Sequence, residues 1–108
     1  MFNPLKMQEM LSQASQMQEE VQRKLANTIL EGSSGGGAVT ATMNGKKQLL
    51  KIRIDPAAVT SLTSNAADLE MLEDLVVAAV NDAGRKAEEA LKGQLKGALG
   101  GLNIPGLT

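Results

Sequence analysis

Neither cysteine nor histidine occurs in the 108 residues. That excludes a thiol nucleophile, a disulfide and imidazole ligation of a metal. Tryptophan and tyrosine are also missing, and Phe2 is the single aromatic residue. Aromatic side chains normally supply the largest buried areas, so any core must be assembled from Leu, Ile, Val, Ala and six Met. The same lack leaves nothing on which unpaired bases could stack, which disfavours single-stranded nucleic acid as a ligand. No apolar run approaches the ~20 residues of a membrane span. The opening "MFNPLKMQEM" lacks the charged leader and apolar block of a secretory signal. The expectation is a cytoplasmic protein with no membrane partner.

A chain of this length makes one domain, expected over residues 1–97, with a flexible tail at 98–108. So small a chain buries its apolar surface only marginally, which favours oligomerisation. The net charge of −1 is unevenly spread. It is −1 for Met1 to Glu31, +3 for Gly32 to Pro56, −5 for Ala57 to Gly84 and +2 for Arg85 to Thr108. Local basic patches therefore stand beside one acidic block.

Leu5 to Asn27 contains no Gly or Pro, and Asn3 and Pro4 suit the cap and first position of a helix. Met7, Met10, Ala14, Met17 and Val21 follow a three-four spacing, opposite Gln8, Glu9, Gln16, Glu19, Glu20 and Arg23. This is an amphipathic helix of heptad character. Thr28, Ile29 and Leu30 can start a strand before the Gly-rich passage Gly32 to Gly37. Those glycines lack the GK[ST] ending and strand–loop–helix order of a phosphate loop, so they read as a turn.

Asn44-Gly45 signals a hairpin with a type I′ turn, which needs positive φ at both residues. That register sets Met43 opposite Lys46, Ala41 opposite Gln48 and Val39 opposite Leu50. Alternation then gives an apolar face of Val39, Ala41, Met43, Leu50, Ile52 and Ile54. The other face carries Thr40, Thr42, Lys47, Lys51 and Arg53. After Asp55-Pro56, Asp68 is a candidate cap for a last long helix. Its stripe is Leu69, Leu72, Leu75, Val76, Ala79, Val80, Ala83, Ala87 and Leu91. Early acids and late bases on this helix complement its dipole.

Catalytic constellations are lacking. The carboxylates of Glu70, Glu73 and Asp74 crowd a first helical turn, where they read as a solvated face rather than an acid–base pair. Asp68, Glu70 and Glu73 have no converging ligands that would make a metal site. No enzyme activity, metal, cofactor or small-molecule substrate is expected. Basic residues remain: Arg23 and Lys24 late on the first helix, Arg85, Lys86 and Lys92 late on the last, and Lys47, Lys51 and Arg53 on the hairpin. Duplicated by a two-fold axis, such patches can grip DNA phosphates.

The stretches "GGGAVTATMNG", "KIRIDP", "EMLEDLVVAAVNDAGRKAEE" and "MQEMLSQASQMQEEVQ" resemble the YbaB/EbfC family of nucleoid-associated proteins. The resemblance runs from about Met7 to Glu89 and is most specific over Asp68 to Glu89. It implies an α+β fold in α-β-β-β-α order: a three-stranded antiparallel sheet flanked by two long helices, in a homodimer of tweezers type. It places helices at 4–27 and 68–91 and strands near 29–33, 38–43 and 47–54. It also implies a cytoplasmic, nucleoid-linked bacterial protein that binds double-stranded DNA, with contacts on the helical arms.

On charge, Arg23, Lys24, Arg85, Lys86 and Lys92 are the candidate DNA contacts, with Lys47, Lys51 and Arg53 as a secondary basic patch. Met10, Met17, Val39, Ile52, Ile54, Leu72, Leu75, Val76 and Ala79 are the candidate dimer or core residues. The expected function is phosphate-mediated duplex binding that regulates gene expression or nucleoid organisation. The rival is a protein-interaction adaptor using the Met-rich first helix.

Overall fold

A computed structural model describes residues 3–60, 62 and 65–100. The elements are α1 (Pro4–Asn27), β1 (Ile29–Ser34), β2 (Val39–Asn44), β3 (Leu49–Ile54), the short α2 (Pro56–Thr60) and α3 (Ala66–Gly100). The strands form one antiparallel sheet in the order β1-β2-β3. This is the α-β-β-β-α arrangement that the family resemblance implies.

Local chemistry explains the helix ends. Asn3 caps α1 as expected, its Oδ1 accepting from the Leu5 N–H at 3.1 Å, with Pro4 in the first turn. At the other end, the Thr28 hydroxyl donates to the Lys24 carbonyl at 2.6 Å, and the Leu25 carbonyl accepts from Thr28 and from Gly45 across the chain. Asn65, rather than Asp68, caps α3: its Oδ1 accepts from the Asp68 N–H at 2.8 Å, and the helix opens at Ala66. Helix α3 runs on to Gly100, and residues 101–108 of the expected tail lie outside the described residues.

The β2–β3 hairpin departs from the expected turn. The register pairs Val39 with Ile54, Ala41 with Ile52 and Met43 with Leu49, with a shift between Thr42 and Met43. Asn44 and Gln48 close the loop, and Lys47, at φ 63°, is the left-handed residue. The buried Asn44 side chain decides this geometry. Its Oδ1 accepts from the Lys46 and Gln48 N–H groups, both at 3.0 Å, and its Nδ2 donates to the Gln48 side chain at 2.7 Å. Gly45 serves closeness instead of positive φ. A Cβ there would lie 2.9 Å from the Leu25 carbonyl oxygen.

Helix α3 crosses one face of the sheet, chiefly over β1 and β2. The buried core is Val39, Ala41 and Met43 against Ala79, Ala83 and Ala87, bordered by Leu30, Ile52, Ile54, Leu72, Leu75, Val76 and Val80. Leu25 is buried separately where α1 meets the hairpin. Met17 and Val21 are half-buried against α3, but Met10 is 65% exposed and is not core within the protomer. Leu50, assigned to the apolar face, is 54% exposed.

Contact between sheet and helix is closest at Gly32. A Cβ there would sit 2.2 Å from the Ala83 backbone nitrogen and 2.5 Å from the Ala79 carbonyl oxygen. Neither backbone atom can swing aside as a side chain can. Gly32→Ala is expected to destabilise the protein by about 3 kcal/mol, the upper end of overpacking costs. Urea denaturation reads this, and a midpoint equal to that of the unaltered protein would contradict the contact.

Candidate nucleic-acid interface

The cations named from sequence lie on three parts of the fold. Arg23 and Lys24 are on the last turns of α1, and Arg85, Lys86 and Lys92 are on α3. Lys47 is in the hairpin loop, while Lys51 and Arg53 alternate along β3. All eight are exposed. Helices α1 and α3 run side by side where Met17, Glu20, Val21 and Lys24 face Gln94, Gly97 and Ala98 across a groove. That juxtaposition brings Lys24 towards the second half of α3.

Carboxylates already hold several of these charges. Asp82 forms an ion pair with Arg85 at 3.0 Å and another with Lys86 at 3.7 Å. Its Oδ2 also accepts from the Ser33 N–H at 3.0 Å, tying β1 to α3. The Ser33 hydrogen bond, followed by the nearby Arg85 and Lys86, holds the Asp82 carboxyl below its ordinary range against a partial desolvation that raises it. Lys86 also donates to the Glu31 carbonyl at 2.7 Å. Lys47 pairs with Glu88, whose carboxyl is lowered by that bond, by the Lys47 charge and by Lys92. Lys24 pairs with Glu20 at 3.5 Å. Among the described residues, Arg23, Lys51, Arg53 and Lys92 have no ion pair within 4.0 Å.

Sequence reasoning weighs these cations by sign alone and misses their anionic neighbours. A signal is present for two of them, since Asp82 stands three and four residues before Arg85 and Lys86. The long-range partners of Asp82 and Lys47 carry no such signal. Among the described residues, no cluster of carboxylates could hold a metal ion, and no helix is long and apolar enough to cross a membrane.

Residues 2–102 match the YbaB/EbfC DNA-binding family over nearly the whole chain. The chain belongs to that family. A nucleoid-associated protein of Acidobacterium capsulatum is 65% identical over 104 residues, spanning 96% of each chain. One from Koribacter versatilis is 49% identical over 98 residues, covering 91% of this chain and 92% of that protein. The fold matches the crystal structure of an uncharacterized protein, HP0035 from Helicobacter pylori, with a TM-score of 0.73. That match covers 92% of this chain and 99% of the other at 22% identity.

The Asp82 cluster has a defined acid response. A carboxyl lowered in the folded state contributes stability above its unfolded pKa, and loses it as pH falls through the folded value. Asp82→Asn is therefore expected to be less stable than the unaltered protein at neutral pH. The gap should close as pH drops below the ordinary carboxylate value of about 3.9. Chemical denaturation of both proteins from pH 7 to pH 2 checks this; a gap that stays constant over the range would contradict it.

Proposed function

We propose that this chain is a homodimeric, non-enzymatic protein of the bacterial nucleoid that grips duplex DNA through its phosphates and so regulates gene expression or nucleoid organisation. Family membership carries the DNA-binding part, and the nucleoid-associated relatives support the location. The residues proposed to meet phosphate are Arg23, Lys24, Arg85, Lys86 and Lys92, with Lys47, Lys51 and Arg53 as a second patch.

Exposed surface supports the dimer. The chain exposes 8093 Å², whereas a compact monomer of its mass exposes about 5,700 Å². The excess is well above the roughly 800 Å² that each partner buries in a standard interface. Its radius of gyration of 20.8 Å and extents of 74 × 25 × 18 Å describe a rod. A compact chain of this length has a radius near 13 Å. Strand β3 is an open sheet edge, and Ile52 and Ile54 on its inner face lie beyond the main cover of α3. A second copy would bury that strip together with Leu72, Leu75 and Val76.

Exposure of Leu5, Met7, Met10 and Leu11, at 71%, 46%, 65% and 63%, favours the adaptor as a second reading, with this half of α1 as its partner surface. The deciding experiment is duplex binding across salt concentrations, with solution mass measured in parallel. A mass twice the 11.3 kDa of the chain is expected. So is an affinity falling with a log–log slope of about −3.6 or steeper, corresponding to about four neutralised phosphates. A dimer that ignores duplex DNA at every salt overturns DNA binding and leaves the adaptor; a monomer overturns the dimer.

A further inference from the structure

We propose that the uncovered face of the sheet, centred on Lys51 and Arg53 with Thr40 and Thr42, is a phosphate-contact surface for duplex DNA. The inference rests on the DNA-binding reading and moves its centre from the helical arms to the sheet. Register defines the face. Thr40 pairs with Arg53 and Thr42 with Lys51, while Ser33 and Glu31 complete the same two rows on β1. The opposite face holds Ala41, Ile52, Val39 and Ile54 and is the one that α3 covers.

Three observations favour phosphate as the ligand. First, no carboxylate among the described residues lies within ion-pair distance of Lys51 or Arg53, whereas Arg85 and Lys86 share Asp82 and Lys47 meets Glu88. Arg85 and Lys86 would have to give up a carboxylate to reach a phosphate. Lys51 and Arg53 give up only water. Second, Glu31, the one acid on these rows, stands two strands from Lys51. That is roughly 9.6 Å, and no ion pair joins the two. Third, Thr40 and Thr42 set half-buried hydroxyls beside the cations, and neither hydroxyl has a hydrogen-bond partner among the described residues. Serine and threonine hydroxyls commonly donate to phosphate oxygens.

Spacing fits as well. Residues two apart on an antiparallel strand lie about 6.8 Å from each other, far enough for each cation to hold a phosphate of its own. Such contacts position the protein without reading sequence.

The test compares two charge-matched double variants, Lys51→Gln/Arg53→Gln and Arg85→Gln/Lys86→Gln, in duplex binding across salt. Both alter exposed side chains, and circular dichroism with solution mass confirms fold and assembly. The sheet variant is expected to bind more than tenfold more weakly at low salt, its slope becoming shallower by about 0.9 for each phosphate that is no longer neutralised. The helix variant should weaken clearly less. A sheet variant with the unaltered affinity and slope overturns the proposal, and so does equal weakening of the two variants, which would report net charge alone. If the unaltered protein binds no duplex, the DNA-binding reading itself falls, and this inference with it.

Discussion

Everything in the fold depends on how near β1 can come to α3. Gly32 presses on the backbone of Ala79 and Ala83 without a side chain between them. The helix offers only methyl groups along this line, and Ala79, Ala83 and Ala87 are all fully buried. Sheets and helices usually stand apart by the thickness of two layers of side chains. Here the layers are thin, which suits a chain with one aromatic residue. The cost of a thin core is little buried area per residue. Much apolar surface consequently stays outside, on β3, on the flanks of α3 and along the first half of α1.

The second organising force is electrostatic, and it works by subtraction. Asp82 serves two elements at once: it receives the Ser33 N–H of β1 and faces Arg85 and Lys86 on its own helix. Glu88 does the same for the hairpin through Lys47. Exposed pairs of this kind contribute little to stability. Their larger effect is on the outward field, because a cation beside a carboxylate presents little net charge to a distant anion. The positive character of the surface is thus set by which lysines and arginines lack a neighbour. Simple abundance of basic residues gives a different and misleading map.

Much of the fold is legible in the residue pattern. The three-four spacing from Met7 to Val21 and the stripe from Leu69 to Leu91 announce both long helices, and Asn3-Pro4 marks where the first begins. Alternation from Val39 to Ile54 announces the hairpin, while β1 is legible mainly through family resemblance. The hairpin turn is not legible because Asn-Gly has two uses. In a type I′ turn both residues take positive φ, but here the Asn44 carboxamide folds over the loop and Gly45 yields space to Leu25. That second use depends on a residue about twenty positions away in the chain. The start of α3 is ambiguous in the same way, because Asn65 and Asp68 are equally good caps by type. The candidate interface is the least legible part. Its cations can be counted in the sequence, but the partners that neutralise them are brought together by the fold.

Helix α1 illustrates a mechanical corollary. Its C-terminal end is fixed by three hydrogen bonds at Lys24 and Leu25, whereas no residue from Pro4 to Gln16 is buried or half-buried. About 20 Å of helix therefore stands clear of its supports. Such a rod is a lever: a rotation of about 10° at the root moves the tip by roughly 3.5 Å over that length. The packing of Leu25 against Gly45 thus acts as a pivot, and one methyl group more or less at that contact becomes ångströms at the amino terminus.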